Sequence, residues 1–187
     1  IGKIYLGGIP MIADDIKQNS VWAIFGSLII VFFYILLRFQ KWQFSLGAVS
    51  AVFHDVLIVL GIFSLTYKIM PFNMEINQAF IAALLTVIGY SLNDTVVVFD
   101  RIREFFKIHK SWDNEITVNT ALNSTLSRTL NTSLTTLIVL IAIFTFGGES
   151  IRGFMFALII GVMVGTYSSV FIATPIMFDS FNKKINQ

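Results

Sequence analysis

Ionisable residues stand within long apolar segments of the sequence at three places: Asp94, Arg128 and the neighbouring pair His54 and Asp55. An unpaired aspartate at the middle of a membrane costs about 2.5–3.5 kcal/mol on insertion scales, so each of these positions is a candidate functional site. Carboxylate, imidazole and guanidinium groups in such surroundings can exchange protons or make and break ion pairs. The residue types therefore indicate proton-linked chemistry.

Asp94 and Arg128 are predicted to be partners. Asp94 lies six residues before Asp100, about 9 Å from the inner end of its predicted span, and Arg128 begins the next span. Because the two spans run in opposite directions, an ion pair is within reach. We expect Asp94 to exchange protons with water entering along the polar half of the fourth span, and its charge to make or break the pair; a static ion pair is the alternative. Supporting polar residues are predicted at Ser91, Asn93, Thr95, Thr132 and Thr136.

His54 and Asp55 lie about 16 Å from the inner end of the second span, near the middle of the bilayer. Asp55 aligns with Ala51 and Gly47 at four-residue spacing, so this face is predicted to point into the bundle. Proton exchange by the pair and a satisfied hydrogen-bond cluster both remain open. The chain has two histidines and no cysteine, too few for a zinc motif, so neither a metal nor a cofactor is predicted besides the proton as coupling ion.

The elements that position these residues are membrane-spanning helices. Of the 187 residues, 56% are hydrophobic and 13% are charged, and the mean hydropathy is +0.79. A helix needs about 20 apolar residues to cross a bilayer. The predicted fold is an all-α membrane protein, a bundle of five transmembrane helices within residues 21–180. The spans are predicted at about 21–37, 44–67, 76–99, 127–146 and 153–178.

The distribution of basic residues gives the orientation. With the N-terminus outside, nine basic residues lie on the cytoplasmic side and four on the outer side, which favours N-out/C-in. The nine are Arg38, Lys41, Arg101, Arg103, Lys107, Lys110, Arg128, Lys183 and Lys184, and the four are Lys3, Lys17, Lys68 and Arg152.

The remaining segments are assigned from this orientation. Residues 1–20 are predicted to be an extracytoplasmic connector to a missing periplasmic domain, since the chain begins at Ile1 and looks like a piece of a longer protein. Residues 100–123 are predicted to be a cytoplasmic loop, either an amphipathic helix along the membrane or a solvated helix. Residues 181–187 are predicted to be a cytoplasmic tail.

Small residues recur at four-residue spacing along the last span. This spacing places them in one groove, where another helix can approach closely. Generic packing within the bundle and a functional sliding surface are both consistent with the groove. The predicted packing residues are Gly153, Ala157, Gly161 and Gly165, and Ser169 and Ala173 continue the series.

Three segments resemble signatures of the SecF family of protein-export subunits. Residues 89–104 read GYSLNDTVVVFDRIRE, residues 123–136 read NSTLSRTLNTSLTT, and HDV at 54–56 is followed by GIF at 61–63. The three segments occur in the family's order. The resemblance implies the RND superfamily, in which a SecD half and a SecF half, each of six spans with a large outer domain, pack around a pseudo-twofold axis. The chain then represents five spans of the SecF half.

The resemblance also implies a function. Asp94 and Arg128 fall at positions that the family uses for proton-linked work, which assists preprotein translocation across the bacterial cytoplasmic (inner) membrane. The implied partners are the SecD half, in the same or a separate chain, a SecY-type channel, a YidC-type insertase and the translocating preprotein, besides membrane lipid. No nucleic-acid partner and no enzymatic activity are expected.

Three other functions compete with this interpretation. The same proton chemistry could drive an RND-type exporter of small molecules or lipids. Asp55 and Asp94 could be the two acids of an intramembrane aspartyl protease, although the Gly-x-Gly-Asp pattern is missing. A passive scaffold would need neither acid. The sequence contains no P-loop motif, so it offers no sign of ATP binding.

Overall fold

Five helices in the computed structural model are long and apolar enough to cross a membrane. The structure describes residues 22–185, with side chains up to residue 181, and all regular structure in that part is helical. The prediction of a five-helix bundle is confirmed, whereas the predicted connector at 1–20 lies outside the described residues and the N-out/C-in orientation stays a prediction. The helices are α1 (Trp22–Phe39), α2 (Trp42–Thr66), α3 (Gln78–Ile108), α4 (Asn114–Phe146), α5 (Glu149–Ser168) and α6 (Thr174–Ile185).

The fifth span is one helical rod made of α5, a π-helical turn at Ser169–Ala173, and α6. The π turn precedes Pro175, which lacks an N–H and whose ring would crowd a carbonyl of the preceding turn in a regular α-helix. The Thr174 hydroxyl donates a hydrogen bond to the Ser169 carbonyl at 3.0 Å, which satisfies a carbonyl in the widened turn. The rod therefore stays continuous through a proline.

The helices alternate in direction, so the short connections lie at two ends of the bundle. The α1–α2 turn, the α3–α4 connection and the last turns of α6 share one end, which we call the α6 end. The α1–α2 turn is tight because Gln40 adopts a left-handed backbone with φ 57°. Asn77 and Asp113 cap α3 and α4 by accepting hydrogen bonds from backbone N–H groups, so each helix has a defined start.

The structure corrects the prediction that residues 100–123 form a separate loop element. α3 continues to Ile108 and α4 begins at Asn114, so only residues 109–113 connect them. Hydropathy marks where a helix leaves lipid, but the backbone hydrogen bonds continue into water wherever the local residues favour a helix. Most of the segment thus consists of extensions of α3 and α4, and its placement along the membrane or in solvent stays a prediction. α6 similarly continues to Ile185, into the segment predicted as a tail.

α5 occupies the centre of the bundle and packs against α2, α3 and α4. Its small residues allow close approach to α3, since a Cβ atom on Gly161 would overlap the side chain of Val87 and one on Gly165 would lie 3.0 Å from the Ser91 Cβ. Gly153 meets the backbone carbonyl of Asn73 just before α3. Backbones at this separation place short polar side chains of neighbouring helices within hydrogen-bond distance.

Two apolar clusters bracket the middle of the bundle. The cluster at the α6 end includes Phe44, Phe99 and Met177, and the cluster at the opposite end includes Phe63 and Phe80. Buried polar residues lie between them on the same helices, at positions halfway along α2, α3 and the last span. This polar layer therefore lies between two groups of packed aromatic and aliphatic side chains.

Substitution of Gly161 by alanine is expected to destabilise the full-length protein by about 1–3 kcal/mol, because the added methyl forces Val87 and α3 to move. The matched control is Gly61→Ala in α2, where an added Cβ meets no atom within 4 Å. Thermal unfolding in detergent micelles, followed by circular dichroism, measures both. Equal melting temperatures for the two variants would contradict the close α3–α5 contact.

Candidate functional site

The centre of the polar layer is the Asp55 carboxylate, which is 0% exposed. Ser91 Oγ on α3 donates to Asp55 Oδ2 at 2.5 Å, and Ser168 Oγ at the end of α5 donates to the same oxygen at 2.7 Å. His54 Nδ1 lies 3.1 Å from the other oxygen, Oδ1. One carboxylate thus joins three helices through hydroxyl and imidazole groups, so that the buried charge is well solvated by protein.

His54 lies at the outer edge of this cluster. Its side chain is partly exposed on the face of α2, whereas Asp55 behind it is buried. With Asp55 ionised, the contact requires the tautomer in which His54 Nδ1–H donates a hydrogen bond to the carboxylate. Both sequence interpretations of the pair remain predictions, and the geometry fits a satisfied cluster as well as a proton-exchanging one.

The second buried acid, Asp94, is 3% exposed and lies one helical turn after Ser91 on α3. Ser133 Oγ on α4 donates to Asp94 Oδ2 at 3.3 Å, and Ser133 Oγ also lies 2.6 Å from the Thr166 hydroxyl on α5. Asp94 therefore joins α3 to α4 and α5, just as Asp55 joins α2 to α3 and α5. The two networks are neighbours because α3 supplies Ser91 to one and Asp94 to the other.

Each acid has its own hydroxyl donors, and no hydrogen bond joins Asp55 to Asp94, although both side chains are described. A carboxylate pair sharing one proton, as in an aspartyl protease, needs its two acids in direct contact. The arrangement therefore gives no support to the protease alternative.

The direct ion pair predicted between Asp94 and Arg128 is not formed in the structure. Within residues 22–181, the ion pairs are Arg38–Asp100, Arg101–Glu104 and His54–Asp55. Arg128 is exposed, because the buried face of α4 contains its neighbour Thr129 together with Ser133, and successive helix residues point about 100° apart. Arg128 is near enough for its charge to attract the Asp94 carboxylate, without contact.

The predicted supporting residues divide between the interior and the surface. Ser91 and Thr95 are fully buried, and Thr95 donates to the Ser91 carbonyl at 3.0 Å. Asn93 and Thr132 are exposed, and the hydroxyl of half-buried Thr136 accepts a hydrogen bond from Tyr90 at 3.3 Å. Only the first two therefore belong to the buried networks.

Sequence reasoning did not assign site roles to Ser133 and Ser168, which bond the two acids, or to Thr166, whose hydroxyl contacts that of Ser133. A signal for Ser133 was present, since Thr117, Ala121, Thr125, Thr129 and Ser133 recur at four-residue spacing and form the buried face of α4. Ser168 lies next to the small-residue series of the last span. No local signal distinguishes Thr166, whose role depends on the contact between α4 and α5.

These features define a multi-pass helical membrane protein with ionisable groups enclosed in its bundle. A sequence profile of the family described as protein export membrane protein SecD/SecF, C-terminal, matches residues 9–183. The chain belongs to this SecD/SecF C-terminal family. The prediction of a multi-pass protein of the bacterial cytoplasmic membrane agrees with this membership.

Individual relatives agree with the family. The protein translocase subunit SecF of Rhodothermus marinus is 56% identical over 170 residues, which are 91% of this chain and 55% of that protein. The fused protein translocase subunit SecDF of Brucella abortus is 44% identical over 168 residues, 90% of this chain and 21% of that protein. The chain spans about half the length of the separate SecF relatives. The relatives are named as translocase subunits, a transport-associated class, rather than as enzymes.

A solved structure has the same fold. The crystal structure of SecDF from Thermus thermophilus matches with a TM-score of 0.81 and 40% sequence identity, over 92% of this chain and 23% of that chain. A SecDF structure in another form, the super-membrane-facing form, matches with a TM-score of 0.81. The five-helix arrangement is therefore that of part of a SecDF transmembrane region.

Substitution of Ser168 by alanine is expected to destabilise the full-length protein by about 1–3 kcal/mol, because the buried Asp55 carboxylate loses a donor. Ser169→Ala is the matched control: Ser169 is equally buried, but its hydroxyl bonds only to the Thr166 carbonyl of its own helix. Thermal unfolding in detergent compares the two. If both alanines have the same effect, the Asp55 network does not hold the helices together.

Proposed function

We propose that this chain is the membrane part of a proton-motive-force-driven subunit of the Sec protein-export machinery, in which protonation of Asp94 alters the packing of α3, α4 and α5. Family membership supports the assignment to protein export. The proton is proposed as the coupling ion because the polar layer contains buried carboxylates that can change charge.

The observation that carries the proposal is the contrast between the two buried acids. Asp55 accepts two short hydroxyl bonds and is also close to an imidazole, so its ionised form is strongly solvated by the protein. Asp94 accepts one long bond, from a Ser133 hydroxyl that also contacts Thr166. A buried carboxylate with few donors gains and loses a proton with less rearrangement than one that is fully bonded. Asp94 is therefore the group that exchanges protons, and Asp55 is the fixed one.

A row of buried hydroxyls supports a proton path to Asp94 from the α6 end. Thr125, Thr129 and Ser133 follow one another at four-residue spacing on the inner face of α4. The Thr129 hydroxyl is buried and has no hydrogen-bond partner among the described protein groups, so it is free to bond a water molecule. A water molecule bonded to Thr129 would connect Thr125, one turn before it, to Ser133, one turn after it. Ser133 in turn contacts the Asp94 carboxylate.

Protonation changes what Asp94 can bond. An ionised carboxylate only accepts hydrogen bonds, whereas the protonated form also donates one, so the Ser133 and Thr166 hydroxyls must reorient. The attraction between Asp94 and Arg128 is lost at the same time, so α4 is held less firmly to α3. A proton crossing the membrane supplies about 2.3 kcal/mol per 100 mV, comparable to the 1–3 kcal/mol typical of conformational coupling.

The proposed partners follow from the family and from the exposed polar residues of the bundle. A SecD half is proposed to complete the transmembrane domain, since relatives include a fused SecDF and the chain covers 23% of a solved SecDF chain. Asn93 and Arg128 are exposed on α3 and α4, and polar groups inside a membrane need a protein or water environment. A SecY-type channel, a YidC-type insertase and the translocating preprotein are proposed as further partners; the matching SecDF is described as translocon-associated.

Substitution of Asp94 by asparagine in the full-length protein is expected to abolish stimulation of export by the proton gradient, because asparagine cannot bind a proton as carboxylate does. The measurement is gradient-dependent transport of a secreted substrate into membrane vesicles, after normal expression and assembly are verified. Asp100→Asn is the matched control, since Asp100 is on the same helix but exposed and paired with Arg38. Unchanged stimulation in the Asp94 variant would refute the proposed mechanism.

Substitution of Thr129 by valine is expected to slow gradient-stimulated export while the protein remains folded. The methyl group is similar in size to the hydroxyl and no protein hydrogen bond is lost, so stability should change by less than about 1 kcal/mol, whereas the water-binding group of the proposed path is removed. Thr132→Val is the control, because Thr132 is exposed and bonds only to the Arg128 carbonyl. Melting temperature and vesicle export rate test both parts. Normal export by the Thr129 variant would exclude this path.

A further inference from the structure

A cavity of about 400 Å³ opens at the α6 end of the bundle, away from the buried acids. Its walls come from the α1–α2 turn, the polar extension of α3 and α6. Three basic residues line it, together with phenylalanine rings: Lys41, Arg103 and Lys107, with Phe44, Phe106 and Phe181. A neighbouring cavity of about 320 Å³ shares Lys41 and two of these rings, so the two spaces lie side by side.

None of the three basic side chains forms an ion pair with a described acidic side chain, so their positive charges can attract an anion. The Arg and Lys ion pairs among the described side chains use Arg38 and Arg101 instead. Lys41 Nζ stands 4.8 Å from the centre of the Phe181 ring, and Arg103 Nη1 donates to the Arg38 carbonyl at 3.2 Å. These contacts position the cations without neutralising them. The cavity is therefore an electropositive recess that is also lined by aromatic rings.

The position of the cavity corresponds to the headgroup region of a membrane. Trp42, next to Lys41, is 48% exposed, and Trp22 at the other end of α1 is 70% exposed. Exposed tryptophans mark the two membrane–water interfaces. The helix rise over the 18 residues Trp22–Phe39 corresponds to about 27 Å, close to the thickness of the hydrocarbon core. The Trp42 end, and with it the cavity, then lies at one of the two interfaces.

We propose that this cavity binds the headgroup of an anionic phospholipid, with the phosphate among Lys41, Arg103 and Lys107 and the first carbons of the acyl chains against the phenylalanine rings. Charge complementarity identifies the occupant: three cations that form no ion pair among the described side chains attract a phosphate, and the rings accept the apolar part of the same molecule. The bound lipid would bridge α1, α2, α3 and α6. This inference does not depend on the proposed role of Asp94.

The test uses the full-length protein reconstituted in phosphatidylcholine vesicles with a small amount of spin-labelled phosphatidylglycerol or spin-labelled phosphatidylcholine. Electron spin resonance measures the fraction of each lipid immobilised by the protein. The unmodified protein should prefer phosphatidylglycerol, and Lys41→Gln and Lys107→Gln should each reduce that preference by about fivefold, as expected for one cation near an anionic lipid. The triple variant with Arg103→Gln should lose the preference.

Two controls separate the site from general charge. Lys68→Gln with Lys110→Gln removes two exposed basic residues outside the cavity and should leave the preference unchanged. Lys41→Arg with Lys107→Arg keeps the charge and should retain the preference. Melting temperatures confirm that each variant is folded, and the exposed positions of Lys41 and Lys107 make the single variants tolerable. If the unmodified protein shows no preference, or if the control double variant loses as much as the cavity variants, the proposal is overturned.

Discussion

A carboxylate inside a membrane protein must obtain from neighbouring helices the hydrogen bonds that water would otherwise provide, and the arrangement of this bundle depends on that requirement at Asp55. Its donors come from α3 and from the end of α5, so three helices are fixed in relative rotation and depth by one side chain. The donors reach it because Gly165 lets α5 approach the Ser91 backbone closely. The small residues of α5 are thus required for the hydrogen bonds that stabilise the buried carboxylate.

The same layer contains a second acid, Asp94, which accepts fewer and longer hydrogen bonds than Asp55. Asp94 shares α3 and α5 with the Asp55 network, but its contact to α4 is a single long hydrogen bond. Apolar clusters lie on both sides of the layer, and an apolar environment increases the effect of any charge change within it. The layer thus contains a firmly bonded acid, Asp55, beside a more loosely bonded one, Asp94.

The sequence predicted much of this structure because hydropathy and the cost of buried charge are local properties. The five spans and the acids Asp55 and Asp94 follow from them. The donors Ser133 and Ser168, and Thr166 beside Ser133, were not assigned, because the contacts of each hydroxyl depend on the register and rotation between helices. Arg128 illustrates the same limit: its depth was predicted, but its direction around α4 was determined by packing of the Thr129 face. The helix extensions at 100–123 were missed because hydropathy reports the edge of the lipid and not the end of a helix.

The π turn at Ser169–Ala173 has a consequence for the geometry of the last span. A π turn accommodates one residue more than an α turn over the same rise. It therefore changes the directions in which side chains after the turn point around the helix axis, relative to those before it. In the half before the π turn, Ser168 donates a hydrogen bond to Asp55. In the half after it, Met177 packs in the apolar cluster at the α6 end. Removing one residue would restore a uniform helical period and turn these two halves by about 100° relative to each other. The chain length of this short stretch is therefore as much a determinant of the polar layer as the identity of its side chains.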